Sequence, residues 1–194
     1  MLARYREKYQ TIFSGLGRAM ARTGLSPNVF TAISLIPALI MGYFFYVGNV
    51  VWGLIFIVIS ALVDVIDGNV ARATGNVTVF GKVFDHSVDR YVEFIMIAGL
   101  VSGGLARPLS GFVAISGMIM ASYVRAKAES EGAEKCDIGL MDRAEKLLII
   151  MAGCILFKWY ASSIDYALLL VGALSHITVI QRLHYAKRQL EVNK

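Results

Sequence analysis

The sequence predicts an all-α integral membrane protein, with six transmembrane helices preceded by an N-terminal amphipathic helix lying on the membrane surface. Three observations predict it. Hydrophobic residues make up 57% of the 194 and charged residues only 17%, with a mean hydropathy of +0.62, outside the balance of a soluble domain. Apolar runs of spanning length follow one another along nearly the whole chain and leave no room for a separate soluble module. Basic residues collect on alternate connections between those runs.

The elements follow in order. In residues 1–24, Leu2, Tyr5, Tyr9, Ile12, Phe13, Leu16 and Met20 recur at helical spacing, with Arg4, Arg6, Lys8, Arg18 and Arg22 on other faces, the pattern of an interfacial helix. This segment has no continuous apolar core or small-residue cleavage site and does not read as a signal peptide. Ser26 is placed to cap the next helix and Pro27 to open it. The six spans are predicted over residues 28–47, 50–73, 77–100, 109–129, 143–159 and 164–187, so residues 25–194 form one membrane domain. The connections near residues 47–50, 102–108 and 158–165 hold only Arg107 and Lys158 as basic residues. The opposite connections and both ends are rich in Lys and Arg, which puts both termini and the active site on the cytoplasmic side of a multi-pass cell-membrane protein. The net charge of +5 then reads as cytoplasmic loops meeting anionic headgroups, not as nucleic-acid binding.

Four aspartates interrupt this apolar background in DVIDGNVARATGNVTVFGKVFDHSVD. Asp64, Asp67, Gly68, Ala71 and Arg72 share one helix face, and Gly81, Asp85 and Asp89 share a face of the next. The short break containing Gly75 and Asn76 makes the two helices adjacent and antiparallel. A carboxylate deep in a bilayer costs about 2.5 to 3.5 kcal/mol, so cations must compensate. Ion pairs with Arg72 and Lys82 would do part of this, but they leave the clustering and the glycines unexplained. Carboxylates are preferred ligands of Mg²⁺ or Mn²⁺, and a pair of such ions clamps the attacking and leaving oxygens of a phosphoryl-type displacement. Gly68 and Gly81 give clearance for a nucleotide diphosphate, and Arg72 offers a bidentate phosphate anchor.

The pattern Asp64-x2-Asp67-Gly68-x2-Ala71-Arg72-x8-Gly81-x3-Asp85-x3-Asp89 resembles, at every fixed position and spacing, the signature of the CDP-alcohol phosphotransferases, six-helix membrane enzymes of phospholipid synthesis. The resemblance implies two divalent cations, one held by Asp64, Asp67 and Asp85 and a second by Asp64, Asp85 and Asp89, with Asp89 as general base. It implies a CDP-linked lipid bound by Gly68, Ala71, Arg72 and Gly81, with Asn28, Thr31 and Thr78 at further nucleotide-contacting places, and CMP as leaving group. A homodimer is also implied.

Arg125 and Lys127 near the end of the fourth span, Arg143 at the start of the fifth and Arg182 in the sixth provide cations for a pocket that receives an alcohol already bearing a phosphate. Lys146, Lys187 and Arg188 read as topology and headgroup contacts. The run SYVRAKAE followed by DRAEK resembles the inositol-phosphate-using branch, the phosphatidylinositol phosphate and archaetidylinositol phosphate synthases, with Arg and Lys exchanged at some positions and Asp142 in place of Glu. A glycerol-phosphate acceptor is the alternative within the family. A divalent-cation transporter is the alternative of another class, since transporters also gather intramembrane carboxylates. Cys136 and Cys154 suggest neither a disulfide nor a thiolate metal site. His86 points away from the aspartate face, and His176 and His184 show no ligand pattern.

Overall fold

The computed structural model describes Gly15 and residues 19–192. The interfacial helix expected over residues 1–24 lies for the most part outside the described residues; of it, Ala19 to Ala21 are helical. All regular structure among the described residues is helical: α1 (Pro27–Ile33), α2 (Leu35–Tyr46), α3 (Val50–Ala73), α4 (Val79–Ser102), α5 (Pro108–Ser130), α6 (Arg143–Leu156) and α7 (Ser163–Val192). The chain forms two compact units, one ending at Gly99 and the other beginning at Leu100.

Among the described residues, four stretches are long and apolar enough to cross a membrane: Pro27–Tyr46, Val50–Ala73, Pro108–Ser130 and Ser163–Glu191. The protein is therefore an integral membrane protein. Two of the six expected spans miss these requirements for different reasons. The 24-residue α4 carries Lys82, Asp85, Asp89, Arg90 and Glu93, whereas α6 has only 14 residues. Large apolar side chains cover the outside of the helices, with Val79, Leu109 and Phe112 each more than 70% exposed. Such a surface suits hydrocarbon and not water.

In the first unit, α1 and α2 make one apolar stretch broken at Ser34, where the ring of Pro37 conflicts with the carbonyl four residues back, that of Ile33. Ser34 Oγ donates to Thr31 O at the break (2.7 Å). Pro27 opens α1 as expected, but Ser26 holds the N-cap position without a side-chain hydrogen bond. Gly48, at φ +76°, turns the chain from α2 into α3, and Asn49 caps α3 by accepting from Trp52 N–H at 3.3 Å. Helix α2 packs on α3, with the fully buried Phe45 ring lying over Gly53. Helix α4 reaches α2 at backbone contact. A Cβ added to Gly99 would lie 2.5 Å from Gly42 O, so any side chain there would drive the helices apart.

In the second unit, α7 is the central helix and packs against both α5 and α6. It meets α5 where a Cβ on Gly117 would stand 2.8 Å from Gly172 O. At one end, Asp165 accepts from Arg107 N–H (2.8 Å) and from Ser110 Oγ (2.5 Å), tying the start of α7 to the start of α5. At the other end the connection from α5 to α6 folds back onto α7, and its Ala133 packs with Ala128, Ala186 and Leu190.

Candidate active site

The first unit assembles the acidic centre. Asp64 and Asp67 lie one turn apart on α3 and Asp85 lies on α4. Each offers a carboxylate oxygen within 4.8 Å of those of the other two. Asp67 is buried at 6% exposure, and Asp64 and Asp85 are half-buried. Were all three ionised with no cation between them, each pair would repel by about 3 kcal/mol at an effective dielectric of about 20. A set of hard oxygen donors converging from two helices fits a divalent cation such as Mg²⁺ or Mn²⁺. Asp89 stands one turn further along α4, outside that triad, with its side chain 14% exposed. His86 Nδ1 is 3.8 Å from Asp85 Oδ2 but is not part of the triad, in line with its position around the helix.

The expected nucleotide-binding residues fall into three places. Thr31, from α1, donates its hydroxyl to Asp67 Oδ2 at 2.6 Å, so this side chain is engaged with a carboxylate of the triad. Asn28, Thr78 and Gly81 gather at the start of α4, where Thr78 Oγ1 accepts from Gly81 N–H at 2.9 Å in an N-cap geometry. A Cβ on Gly81 would come within 2.9 Å of Thr78 Oγ1 and 3.2 Å of Asn28 Oδ1, which explains why glycine is needed there. Gly68 and Arg72 share the face of α3, and the guanidinium folds back to within ordinary contact distance of where a Cβ on Gly68 would lie. Ala71, between them in sequence, is half-buried.

Three residues here escaped the sequence reading. Asn69 accepts from Arg72 Nη2 (3.2 Å) and donates to Val65 O (2.7 Å), which fixes the arginine's direction. Arg90 Nη1 lies 2.8 Å from Glu93 Oε2, while its Nη2 is 3.8 Å from Asp89 Oδ2. Glu93 is 1% exposed. Their i, i+3 spacing on α4 was the available signal.

The second unit holds the basic residues. Arg125 Nε is 3.1 Å from Glu129 Oε1 and Nη2 is 2.5 Å from Asp137 Oδ1. Arg182 is buried, and its Nε and Nη1 donate to the carbonyls of Ile138 (2.9 Å) and Ala121 (2.7 Å), with Nη2 3.8 Å from Asp142 Oδ1. Most of this guanidinium is spent on the backbone. Lys127, two residues from Arg125, pairs with Glu131 on an exposed face. That hydrogen bond, and then the lysine's charge, hold Glu131 below the usual carboxylate range. Arg143 is half-buried at the first position of α6, behind a capping box made by Asp142 and Glu145. Lys146, read from sequence as a headgroup contact, is instead buried. Cys136 and Cys154 are free and buried, and burial pushes the Cys136 thiol up, so it stays protonated. His176 Nε2 lies 3.4 Å from Ser116 Oγ.

An acidic triad beside a glycine and an anchored arginine, in an all-helical membrane protein, defines a candidate metal-assisted phosphoryl-group transferase. The chain belongs to the CDP-alcohol phosphatidyltransferase family, whose description matches residues 24–183. That match takes in residues of both compact units. It is 34% identical over 192 residues to the archaetidylinositol phosphate synthase of Pyrococcus horikoshii, covering 99% of this chain and 100% of that one. Its fold is similar to the crystal structure of Mycobacterium tuberculosis phosphatidylinositol phosphate synthase with CDP-DAG bound, with a TM-score of 0.81, 26% identity and 91% and 94% coverage of the two chains. It is also similar to the same enzyme in complex with manganese and citrate, with a TM-score of 0.80, 26% identity and 90% and 88% coverage.

Proposed function

We propose that this protein is a phospholipid synthase that transfers the lipid phosphoryl group of a CDP-linked lipid to a hydroxyl of inositol phosphate and releases CMP. The observation that carries the reading is the convergence of Asp64, Asp67 and Asp85 within the family's fixed spacing. In the reaction, the acceptor oxygen bonds to the lipid-side phosphorus, the bond from that phosphorus to the CMP oxygen breaks, and the acceptor's proton passes to Asp89. Asp64, Asp67 and Asp85 would hold one divalent cation, and Asp64, Asp85 and Asp89 a second. When bound, such ions neutralise the charge that develops on the phosphoryl oxygens and acidify the acceptor hydroxyl. Thr31 keeps Asp67 oriented. Asn69 aims Arg72 for the diphosphate, and Gly68, Ala71 and Gly81 keep the approach to the backbone open, with Asn28 and Thr78 beside the nucleotide. Arg125, Lys127, Arg143 and Arg182 are read as the acceptor's phosphate ligands, with Lys127, paired to Glu131 on an exposed face, the outermost of them.

The same reading includes six membrane crossings, with α4 and α6 completing the set, both termini and the active site on the cytoplasmic side, and a homodimer. Residues 25–194 then form the catalytic domain. The names of the relatives support inositol phosphate as the acceptor and leave a CDP-diacylglycerol or an ether-linked CDP-lipid as donor.

The deciding experiment measures CMP release by purified protein with one CDP-lipid, Mg²⁺ or Mn²⁺, and a panel of inositol phosphate, inositol, glycerol phosphate and serine. Release with inositol phosphate alone is the expected result. Release only with glycerol phosphate would reassign the acceptor. No CMP from any pair, together with Mn²⁺ uptake into proteoliposomes, would overturn the enzyme reading.

A further inference from the structure

Arg125 and Arg182, two of the cations assigned to the acceptor in the second unit, are held by carboxylates and carbonyls of the chain itself, and the holding is most specific at Arg125. Its guanidinium meets Asp137 Oδ1 through Nη2 at 2.5 Å, while Lys135 Nζ meets Asp137 Oδ2 at 2.6 Å. One carboxylate therefore bridges two cations through its two oxygens. A phosphate presents the same pair of oxygens at similar spacing. We propose that Asp137 is an internal stand-in for the acceptor's phosphate: it occupies Arg125 until a phosphorylated alcohol displaces it, and so discriminates against alcohols that lack one. This rests on the reading of Arg125 as an acceptor ligand.

Two features of the loop make displacement feasible. The chain around Asp137 is fastened by contacts that do not use its carboxylate. Cys136 N–H donates to Glu129 Oε1 (2.9 Å), Ile138 O accepts from Arg182 Nε (2.9 Å), Leu140 N–H donates to Gln181 Oε1 (3.1 Å) and Met141 N–H to Thr178 Oγ1 (3.2 Å). Gly139, at φ +134° and packed against Thr178, adds a turn only glycine adopts readily. The side chain can swing away while the backbone stays in place. The pair is also accessible, with side-chain exposures of 27% for Arg125 and 43% for Asp137. Ion pairs in contact with water contribute little net stability, so a phosphate dianion can replace a single carboxylate there. A neutral polyol has no charge with which to do so. Glu129 remains on Nε of Arg125 at 3.1 Å and keeps the guanidinium aimed during the exchange.

The test uses the full-length protein and Asp137→Asn, which keeps the shape and removes the charge. The KM for inositol phosphate should fall by about two- to fivefold, the size expected for a weak exposed pair, with the KM for the CDP-lipid unchanged. Inorganic phosphate should become a stronger competitive inhibitor by a similar factor, and discrimination against free inositol should narrow. Asp137→Glu should restore the wild-type order. An unchanged or raised acceptor KM in Asp137→Asn overturns the proposal. So does faster amide hydrogen exchange across residues 136–141, which would make the carboxylate a structural tie. Arg125→Ala separates the two levels. If it leaves the acceptor KM unmoved, the acceptor reading itself fails; if it raises that KM while Asp137→Asn does not lower it, only the stand-in fails.

Discussion

The two compact units manage charge in opposite ways. The first brings like charges together: Asp64 and Asp67 of α3 and Asp85 of α4 share a 4.8 Å neighbourhood, and further along α4 Gly99 meets the backbone of α2 at Gly42. The second spreads cations over two helices, α5 and α7, and satisfies them locally, with Arg125 on Glu129 and Asp137, Lys127 on Glu131, and Arg182 on two carbonyls. A cluster of anions is a demand for a cation from outside the chain. Paired cations are a site that a ligand must compete to enter. On the proposed function, the difference teaches that the acidic unit would be organised around a tightly bound inorganic partner and the basic unit around an exchangeable organic one.

The largest way to test this contrast is Asp89→Asn. Losing the general base should lower kcat by about 10² to 10⁴ while CDP-lipid binding, followed by equilibrium titration of the purified protein, stays near wild type. Near-normal turnover would remove Asp89 from the base role. Next comes Arg125→Ala. Hydrogen bonds to charged groups contribute about 1.5 to 3 kcal/mol, so the KM for inositol phosphate should rise roughly 10- to 100-fold with little change for the CDP-lipid. A parallel rise in both would place Arg125 in general support of the fold.

How much of this was legible depended on how far apart the partners lie along the chain. The aspartate pattern was readable because helical periodicity alone puts Asp64 beside Asp67 and Asp85 beside Asp89, and one short turn joins the two faces. Arg90 and Glu93 carried the same local signal in their spacing, and only the burial of Glu93 marks the pair as unusual. Arg182 was named as a cation of the pocket, but its partners, and the place of Asp137, were not readable. The guanidinium reaches carbonyls 44 and 61 residues away, and no periodicity foretells which loop folds onto which helix. The break at Ser34 was present in the sequence as Pro37, inside a run read as one continuous span. The short α6 ends at Leu156, where apolar composition continues but the helix does not. Hydropathy reports the solvent a residue prefers, not where its backbone stops being helical.

Arg182→Met sharpens the comparison inside the basic unit. Methionine fills similar volume but leaves the loop carbonyl of Ile138 without its side-chain donor and removes a second donor from the helical carbonyl of Ala121, and a buried acceptor left unsatisfied costs about 1 to 3 kcal/mol. The variant should lose thermal stability, and the Leu140 and Met141 amides should exchange faster. A higher acceptor KM at unchanged stability and exchange would instead show that Arg182 serves the ligand and not the loop.

Within the acidic unit the smaller expected effect falls on Thr31, and it asks which unit of chemistry the residue serves. Motif position alone assigns it to the nucleotide, whereas its hydroxyl lies 2.6 Å from Asp67. Thr31→Val preserves shape and removes that donor. Groups that orient a metal-binding side chain alter affinity by about tenfold or somewhat more, and Asp67 keeps its place in the triad through α3. The Mn²⁺ concentration for half-maximal CMP release should therefore rise about tenfold, with kcat at saturating Mn²⁺ close to wild type and the inositol phosphate KM unmoved. A raised CDP-lipid KM at unchanged Mn²⁺ requirement would return Thr31 to the nucleotide. It would also mean that the buried carboxylate is held by α3 and its bound ion alone.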